Sequence, residues 1–208
     1  RHDRLDVLVN NAGAMFLRRQ TSTDGIEMTF ALNHLAYFLL TSLLLDVLEA
    51  SIPSRIVNVS SVAHERATGD PTDLHSRRYR GYEVYARSKL ANLLYTYELA
   101  RRLGDTGVTV NAVNPGLVRT NFGANNGLIG RLGAWLVHLR YRQHSIGTEE
   151  GARTIVYLAT SPDVAGVSGG YFEGEQRVPS SPLSHDAVLA SRLWQLSDTL
   201  TKDSSDSS

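Results

Sequence analysis

Short, nearly continuous apolar runs rich in β-branched residues alternate along this chain with longer stretches of helical period. The runs are Leu5-Asp6-Val7-Leu8-Val9, Ile56-Val57-Asn58-Val59 and Val108-Thr109-Val110-Asn111-Ala112-Val113, the pattern of strands buried on both faces. Between the first two lies a helical segment over Asp24 to Ala50, ended by Pro53. Between the second and third lies another, Tyr82 to Leu103, with Leu90, Leu93, Leu94, Tyr97, Ala100 and Leu103 spaced three and four apart and Gly104 as its stop. Strands separated by long helices cannot pair as hairpins. The order predicts an α/β fold: a doubly wound, Rossmann-like parallel sheet with right-handed crossovers and helices on both faces, three layers in all.

Beyond the third strand the spacing loosens. Gly123 to Gly133 holds four glycines and leads into an apolar helical stripe of Leu128, Ile129, Leu132, Trp135, Leu136 and Leu139. Thr148 with Glu149 and Glu150 marks a helix start, acid at the positive end of the dipole, and that helix runs to Thr160. Gly169 to Phe172 predicts a short last strand. Ser184 is the expected cap of a final helix with Val188, Leu189, Leu193, Leu196 and Leu200 inward, and Lys202 to Ser208 reads as a frayed, disordered tail. One partial domain over 1–201 accounts for the rest. The longest greasy stretch, Leu35 to Leu45, is broken by Thr41 and Ser42 and ends at Asp46, short of the ~18 residues a membrane span needs, so it reads as a buried helix.

Composition narrows the partners. Lys plus Arg equals Asp plus Glu at 21 each in 208 residues, so no summed basic field exists to hold a nucleic acid. Cysteine is absent, which excludes disulfides and thiolate chemistry. Seven histidines, at 2, 34, 64, 75, 138, 144 and 185, show no zinc-ligand spacing, so no metal is expected. Arg77, Arg78 and Arg80 read as a solvated basic loop.

Open parallel sheets bind ligands outside the carboxyl ends of their strands. Here those ends carry Asn10-Asn11-Ala12-Gly13, Ser60-Ser61 and Asn114-Pro115-Gly116, small or amide residues that allow close approach and neutral hydrogen bonds. Tyr85 and Lys89 stand four apart on one helix face. A free phenol, with a pKa near ~10, is a poor acid–base catalyst, and an adjacent ammonium is expected to lower that value. Ser61, at the preceding strand end, adds a hydroxyl that can hold a carbonyl oxygen for the tyrosine to protonate.

The set NNAG at 10–13, Asn33 in ALNHLAYFLLT, NVSS at 58–61, YARSK at 85–89 and NPGLVRT at 114–120 resembles the short-chain dehydrogenase/reductase family, in order and spacing. NVSSVAH with YARSKLANLLYTYELARRL is most similar to its retinol dehydrogenase-like branch. The resemblance implies that Tyr85 is the catalytic acid or base and that Lys89 lowers its pKa and binds the nicotinamide ribose. It implies that Ser61 orients the carbonyl while Ser60 is structural, and that Asn33 anchors a water in the proton relay. Asn11, Ala12 and Gly13 match the turn beside the adenine ribose; Pro115, Gly116, Val118 and Thr120 match the segment that closes over the nicotinamide. The implied reaction is hydride transfer between NADP, or NAD, and a lipophilic alcohol, aldehyde or ketone.

The family's opening strand and glycine-rich turn stand well before NNAG, and here NNAG begins at Asn10. Gly127, Gly130 and Gly133 lie inside a helical pattern and are no substitute. The chain therefore reads as a carboxyl-terminal fragment with its first strands missing and weakened cofactor binding. A scaffold or regulatory fragment that has lost cofactor binding is the competing reading. The family's habit of pairing through its two long helices implies a homo-oligomer, and a cytoplasmic location is the expectation.

Overall fold

A computed structural model describes residues 3–74, 79–118, 123–140 and 145–205. Three strands, β1 (Val7–Asn10), β2 (Ser54–Val59) and β3 (Val108–Val113), pair in parallel in that order, with Asn10 level with Asn58 and Val59 level with Val113. Their carboxyl ends thus fall on one edge of the sheet. The first strand begins two residues later than the apolar run suggested and takes in Asn10. Asn10 Nδ2 donates to Asn58 Oδ1 at 2.8 Å and sits 3.1 Å from Thr41 Oγ1, so the amide nitrogen of the strand's last residue is paired inside the fold.

Beyond β3 the sheet continues with β6 (Tyr171–Glu173), parallel, and β7 (Gln176–Arg177), antiparallel to β6. That closing hairpin departs from an all-parallel reading. Glu175 turns it with a φ of 66°, and its signal is only a two-residue Gly174-Glu175 turn. A separate two-stranded sheet pairs β4 (Leu117–Val118) with β5 (Ser145–Ile146).

The first helical segment starts later than its periodicity indicated. Residues 21–27 form a tight turn closed by a Thr21–Glu27 bridge, and helix α1 (Met28–Phe30) is capped by the buried Glu27 carboxylate, which accepts from the N–H groups of Thr29 and Phe30. A π-helical turn, Ala31–Leu35, then passes into α2 (Ala36–Ala50). By length and hydropathy Met28–Ala50 would suffice to cross a membrane. Its buried Asn33, His34 and Thr41, however, bond to other elements of the domain, as befits a core helix. Leu39, Leu40 and Leu43 on its outer side are exposed.

Helix α3 (Gly81–Leu103) matches its apolar stripe: Leu90, Leu93, Leu94 and Leu103 are buried and Gly104 ends it with a φ of 51°. The helix α4 (Gly127–Arg140) occupies the loose region. Leu128, Leu132 and Leu139 are exposed there, and Ile129, Trp135 and Leu136 fall outside the described side chains. The next helix, α5 (Thr148–Thr160), begins where Thr148 and the two glutamates indicated, with Gly147 as its cap.

The last helix, α6 (Ala187–Ser205), corrects three expectations. Its cap is Asp186, whose Oδ1 accepts from Val188 and Leu189 at 2.9 Å, while Ser184 is buried in the preceding turn, Pro182–His185. Asp serves because its carboxylate reaches two free N–H groups and suits the helix dipole. Val188 is 72% exposed, while Leu189, Ala190 and Leu193 form the buried face, so the start of the helix turns Val188 to solvent. The helix also runs through Lys202, which pairs with Asp198 one turn back, to Ser205, where a frayed tail is expected.

Trp194 of α6 packs edge-on to Phe38 and lies under the Arg102 guanidinium at 4.0 Å, joining α2 and α3. Gly81, the first residue of α3, touches the loop after β1: a Cβ there would collide with the Phe16 carbonyl oxygen and lie 2.9 Å from Leu17 Cα. Both are backbone atoms with little freedom to yield. Gly81→Ala is therefore expected to cost about 1–3 kcal/mol and lower Tm by several degrees. Gly133→Ala, on α4 where nothing lies within 4 Å, should leave Tm unchanged or raise it. Thermal unfolding of the two variants side by side checks both.

Candidate active site

The three strand ends and the first turns of α3 converge. Ser60 directly follows β2, with its N–H on the Val113 carbonyl at 2.8 Å and its Oγ donating to the Lys89 carbonyl at 2.8 Å, which binds strand to helix and gives it a structural part. Ser61 follows in extended backbone and caps the short 3-10 turn Val62–Arg66, its Oγ accepting from Ala63 N–H at 3.2 Å. The Tyr85 phenol hydrogen-bonds to Ser61. Lys89 Nζ lies 5.7 Å from the Tyr85 ring centroid and donates to the Val59 carbonyl at 3.0 Å.

Asn33 reaches the same place through the π-turn. Its Oδ1 accepts from Ala14 N–H, and its Nδ2 donates to the Ala14 carbonyl and to Ser88 Oγ, each at 2.9 Å. All three contacts brace the loop after β1 against α3. The side-chain amide is thus occupied in positioning. Tyr37, one turn on, donates to the Ala12 carbonyl at 2.9 Å. Asn11, Ala12 and Gly13 form an exposed turn above these groups.

Asn114, Pro115 and Gly116 follow β3. Asn114 Oδ1 accepts from Gly116 N–H at 3.2 Å, and Gly116 takes a φ of 81°, a conformation that favours glycine. Val118 packs on Gly151 of α5, where a Cβ would come within 2.9 Å of Val118 Cγ1. Thr120 lies outside the described residues, as do Arg77 and Arg78 of the basic cluster. Arg80 is exposed at the position before α3 and makes no side-chain bond to the helix start.

The electrostatics differ from the expectation of a lowered phenol. Burial pushes the Tyr85 pKa up to about 12, opposed by the Ser61 hydrogen bond. Burial also lowers Lys89 to about 8. Lys89 is 3% exposed and bonds a neutral carbonyl, so desolvation outweighs any attraction between ammonium and phenolate at this separation. The pair holds a protonated phenol beside an ammonium.

A nicotinamide ribose fits this donor set. The Lys89 ammonium gives one hydrogen bond to Val59, and its other two protons face no acceptor among its described contacts, which suits a sugar diol. Gly13 keeps that approach open: a Cβ there would lie 3.4 Å from both Lys89 Nζ and Asn33 Oδ1.

Several supporting residues carry no motif of their own. Asn92 donates to the Val59 carbonyl at 3.1 Å, His34 lies between Asn92 Oδ1 and Ser197 Oγ, and His64 touches the Ser61 carbonyl at 2.7 Å. Asn126 clamps the loop after β1, accepting from Leu17 N–H and donating to the Met15 carbonyl, both at 2.7 Å. A faint signal exists for some. Ser88 stands three after Tyr85 and Asn92 three after Lys89, the spacing of one helix face.

A family model described as short chain dehydrogenase matches residues 1–127. The chain is 44% identical over 202 residues to human retinol dehydrogenase 13, covering 92% of this chain and 59% of that protein. It is 46% identical over 200 residues to mouse retinol dehydrogenase 14, covering 95% and 59%. It thus spans about 59% of the length of these relatives. Among solved structures, an uncharacterized protein from Mycobacterium paratuberculosis is 34% identical with a TM-score of 0.72, over 97% of this chain and 68% of that one. An oxidoreductase of the short chain dehydrogenase/reductase family from Brucella ovis, in complex with a partially ordered NAD, is 28% identical with a TM-score of 0.53, over 82% and 65%.

His34 gives the fold a pH dependence. Fully buried, it is lowered from 6.5 to about 4 by desolvation. A histidine held neutral stabilises the fold above its unfolded pKa near 6.5, and that contribution is lost as pH falls from 6.5 towards 4. The loss expected over that window is about 3 kcal/mol. His34→Phe should flatten the slope of Tm against pH between 6.5 and 4 while lowering Tm at pH 7.5, because Asn92 Oδ1 loses its donor. Melting curves across that range check it.

Proposed function

The chain belongs to the short-chain dehydrogenase family, in its retinol dehydrogenase-like branch, and from that premise we propose that it carries the proton-transfer part of an NAD(P)-dependent oxidoreductase acting on a lipophilic alcohol, aldehyde or ketone. The observation that carries the reading is the convergence of Ser61, Tyr85 and Lys89 at one sheet edge, with Asn33 bracing the loop above them. When bound, the nicotinamide supplies or accepts the hydride.

The protein's own groups do the rest. Ser61 holds the substrate oxygen and Tyr85, hydrogen-bonded to it, exchanges the proton with that oxygen. A phenol pushed up to about 12 is protonated at neutral pH, so the site as it stands is set to donate to a carbonyl. The Lys89 ammonium holds the ribose, with Val59 fixing its third direction. NADP is the cofactor favoured by likeness to the retinol-type relatives. The exposed Leu128, Leu132 and Leu139 of α4, the helix that follows the Asn126 clamp, favour an apolar substrate.

Tyr85→Phe is expected to lower NADPH-dependent reduction of a lipophilic aldehyde by about 10²–10⁴-fold, the usual size of a general-acid contribution, with cofactor affinity retained. Lys89→Met should weaken cofactor binding itself. Nicotinamide absorbance gives the rates and nicotinamide fluorescence the affinities. A Tyr85→Phe protein that kept the wild-type rate would sink the reading.

A further inference from the structure

His64 lies in the turn directly after Ser61, and it is 1% exposed. Its two nitrogens meet partners of fixed polarity. Nδ1 is 2.7 Å from the Ser61 carbonyl oxygen, which can only accept. Nε2 is 3.1 Å from the Ser181 backbone nitrogen, which can only donate. Both bonds form together in one state alone, the neutral ring with its proton on Nδ1. The tautomer follows from the chemistry of the partners.

The two contacts join parts of the chain far apart in sequence. One holds the carbonyl of the residue whose hydroxyl meets Tyr85. The other holds the segment between β7 and α6, which is itself seated on α3: Tyr97 Oη lies 2.7 Å from Ser180 Oγ, and the His185 ring stacks on the Tyr97 ring with centroids 4.7 Å apart. From β6 the Tyr171 ring meets the imidazole edge to face at 5.2 Å, its hydroxyl buried with no hydrogen-bond partner among the described residues.

Building on the reading of Ser61 and Tyr85 as the proton-handling pair, we propose that His64 is a positioning residue. As the neutral Nδ1–H tautomer it fixes the Ser61 peptide, and so the Ser61 hydroxyl against Tyr85, only while the segment around Ser181 is docked on its other nitrogen. Protonation would put a second N–H against the Ser181 N–H and break that contact. Among the described residues the charge acting on the ring is Glu65 of its own turn; β6 presents the Tyr171 phenol, the segment presents the Ser181 N–H, and His185 is turned to Ser180 and Tyr97. Burial lowers the His64 pKa below 6.5, so the ring is still neutral and docked at pH 6.5, and the contact is lost only as pH falls through that lowered value.

The test needs neither cofactor nor turnover, so its failure is distinct from failure of the oxidoreductase reading. Long-range nitrogen–proton NMR spectra of the full chain, with His64 assigned by its loss in His64→Asn, should show at pH 7.5 a protonated Nδ1 and an unprotonated Nε2. The Ser181 amide resonance should shift with the same midpoint as the ring on acidification. A proton on Nε2 at pH 7.5, or a Ser181 amide indifferent to the His64 titration, overturns the proposal.

Tyr85, labelled at Cζ, gives the second readout. His64→Phe keeps a ring against Tyr171 but neither nitrogen, and should shift the Tyr85 Cζ resonance. His64→Asn offers an N–H donor to the Ser61 carbonyl and a carbonyl acceptor to the Ser181 N–H, and should restore a near-wild-type position. An unmoved Tyr85 resonance in folded His64→Phe also overturns it.

Discussion

The Val59 carbonyl oxygen is the point on which the site depends. It is the last acceptor of β2, and two side chains of α3 converge on it: Lys89 Nζ at 3.0 Å and Asn92 Nδ2 at 3.1 Å. A buried ammonium is costly, and here its described partner is a neutral peptide oxygen rather than a carboxylate. The lowering of the Lys89 pKa to about 8 expresses that cost. The lysine stays because α3 is anchored along its length by Leu90, Leu93 and Leu94, all without solvent exposure, and by the Ser60 bond to the Lys89 carbonyl. Apolar packing holds in place a polar group that the interior disfavours. Such groups mark sites that work on a ligand.

The π-turn solves a matching problem on the other side. In a regular α-helix consecutive residues diverge by about 100°, so two neighbours seldom serve one interior. Widening the turn over Ala31–Leu35 lets Asn33, His34 and Leu35 all be buried. Asn33 faces the loop after β1 and Ser88, while His34 faces Asn92 and, through Ser197, the last helix. One local irregularity thereby ties the strand-end loop, α3 and α6 to a common centre. A polar residue in an apolar helix is thus paired on every side, with no penalty from unmet hydrogen bonds.

How much of this was legible follows from what each signal depends on. The three strands, α3 and the α5 start were readable because burial on both faces and helical period leave local traces, and Tyr85, Lys89 and Ser61 because five motifs stand in order. The Glu27 cap was not, since a glutamate immediately before a helix looks like any surface acid until the chain folds it inward. Asp186 was passed over for Ser184 because both are capping types and only tertiary packing chooses between them. The phenol's direction of shift was misjudged for a similar reason: helical spacing put Lys89 beside Tyr85, but how dry the site is depends on residues far away. His34, His64 and Asn126 act through partners more than a hundred residues distant, and no local pattern announces that.

The same logic explains why polar residues are tolerated in the centre of the sheet. Asn10, Asn58 and Thr96 form a chain of hydrogen bonds from β1 through β2 to α3, at 2.8 and 3.0 Å. Thr96 passes it on to the Asn92 carbonyl at 2.7 Å. Apolar residues would bury more cheaply at all three positions, but they would pair equally well one residue out of step. A slip of β1 against β2 by one residue would separate Asn10 from Asn58 and leave the buried Asn58 Oδ1 without its donor. It would also move the loop carrying Ala12 and Gly13 by one residue relative to Ser61, and Gly13 would no longer stand over Lys89 and Asn33. The amide chain therefore sets register, and register sets the distance between the strand-end loop and the groups that handle the proton.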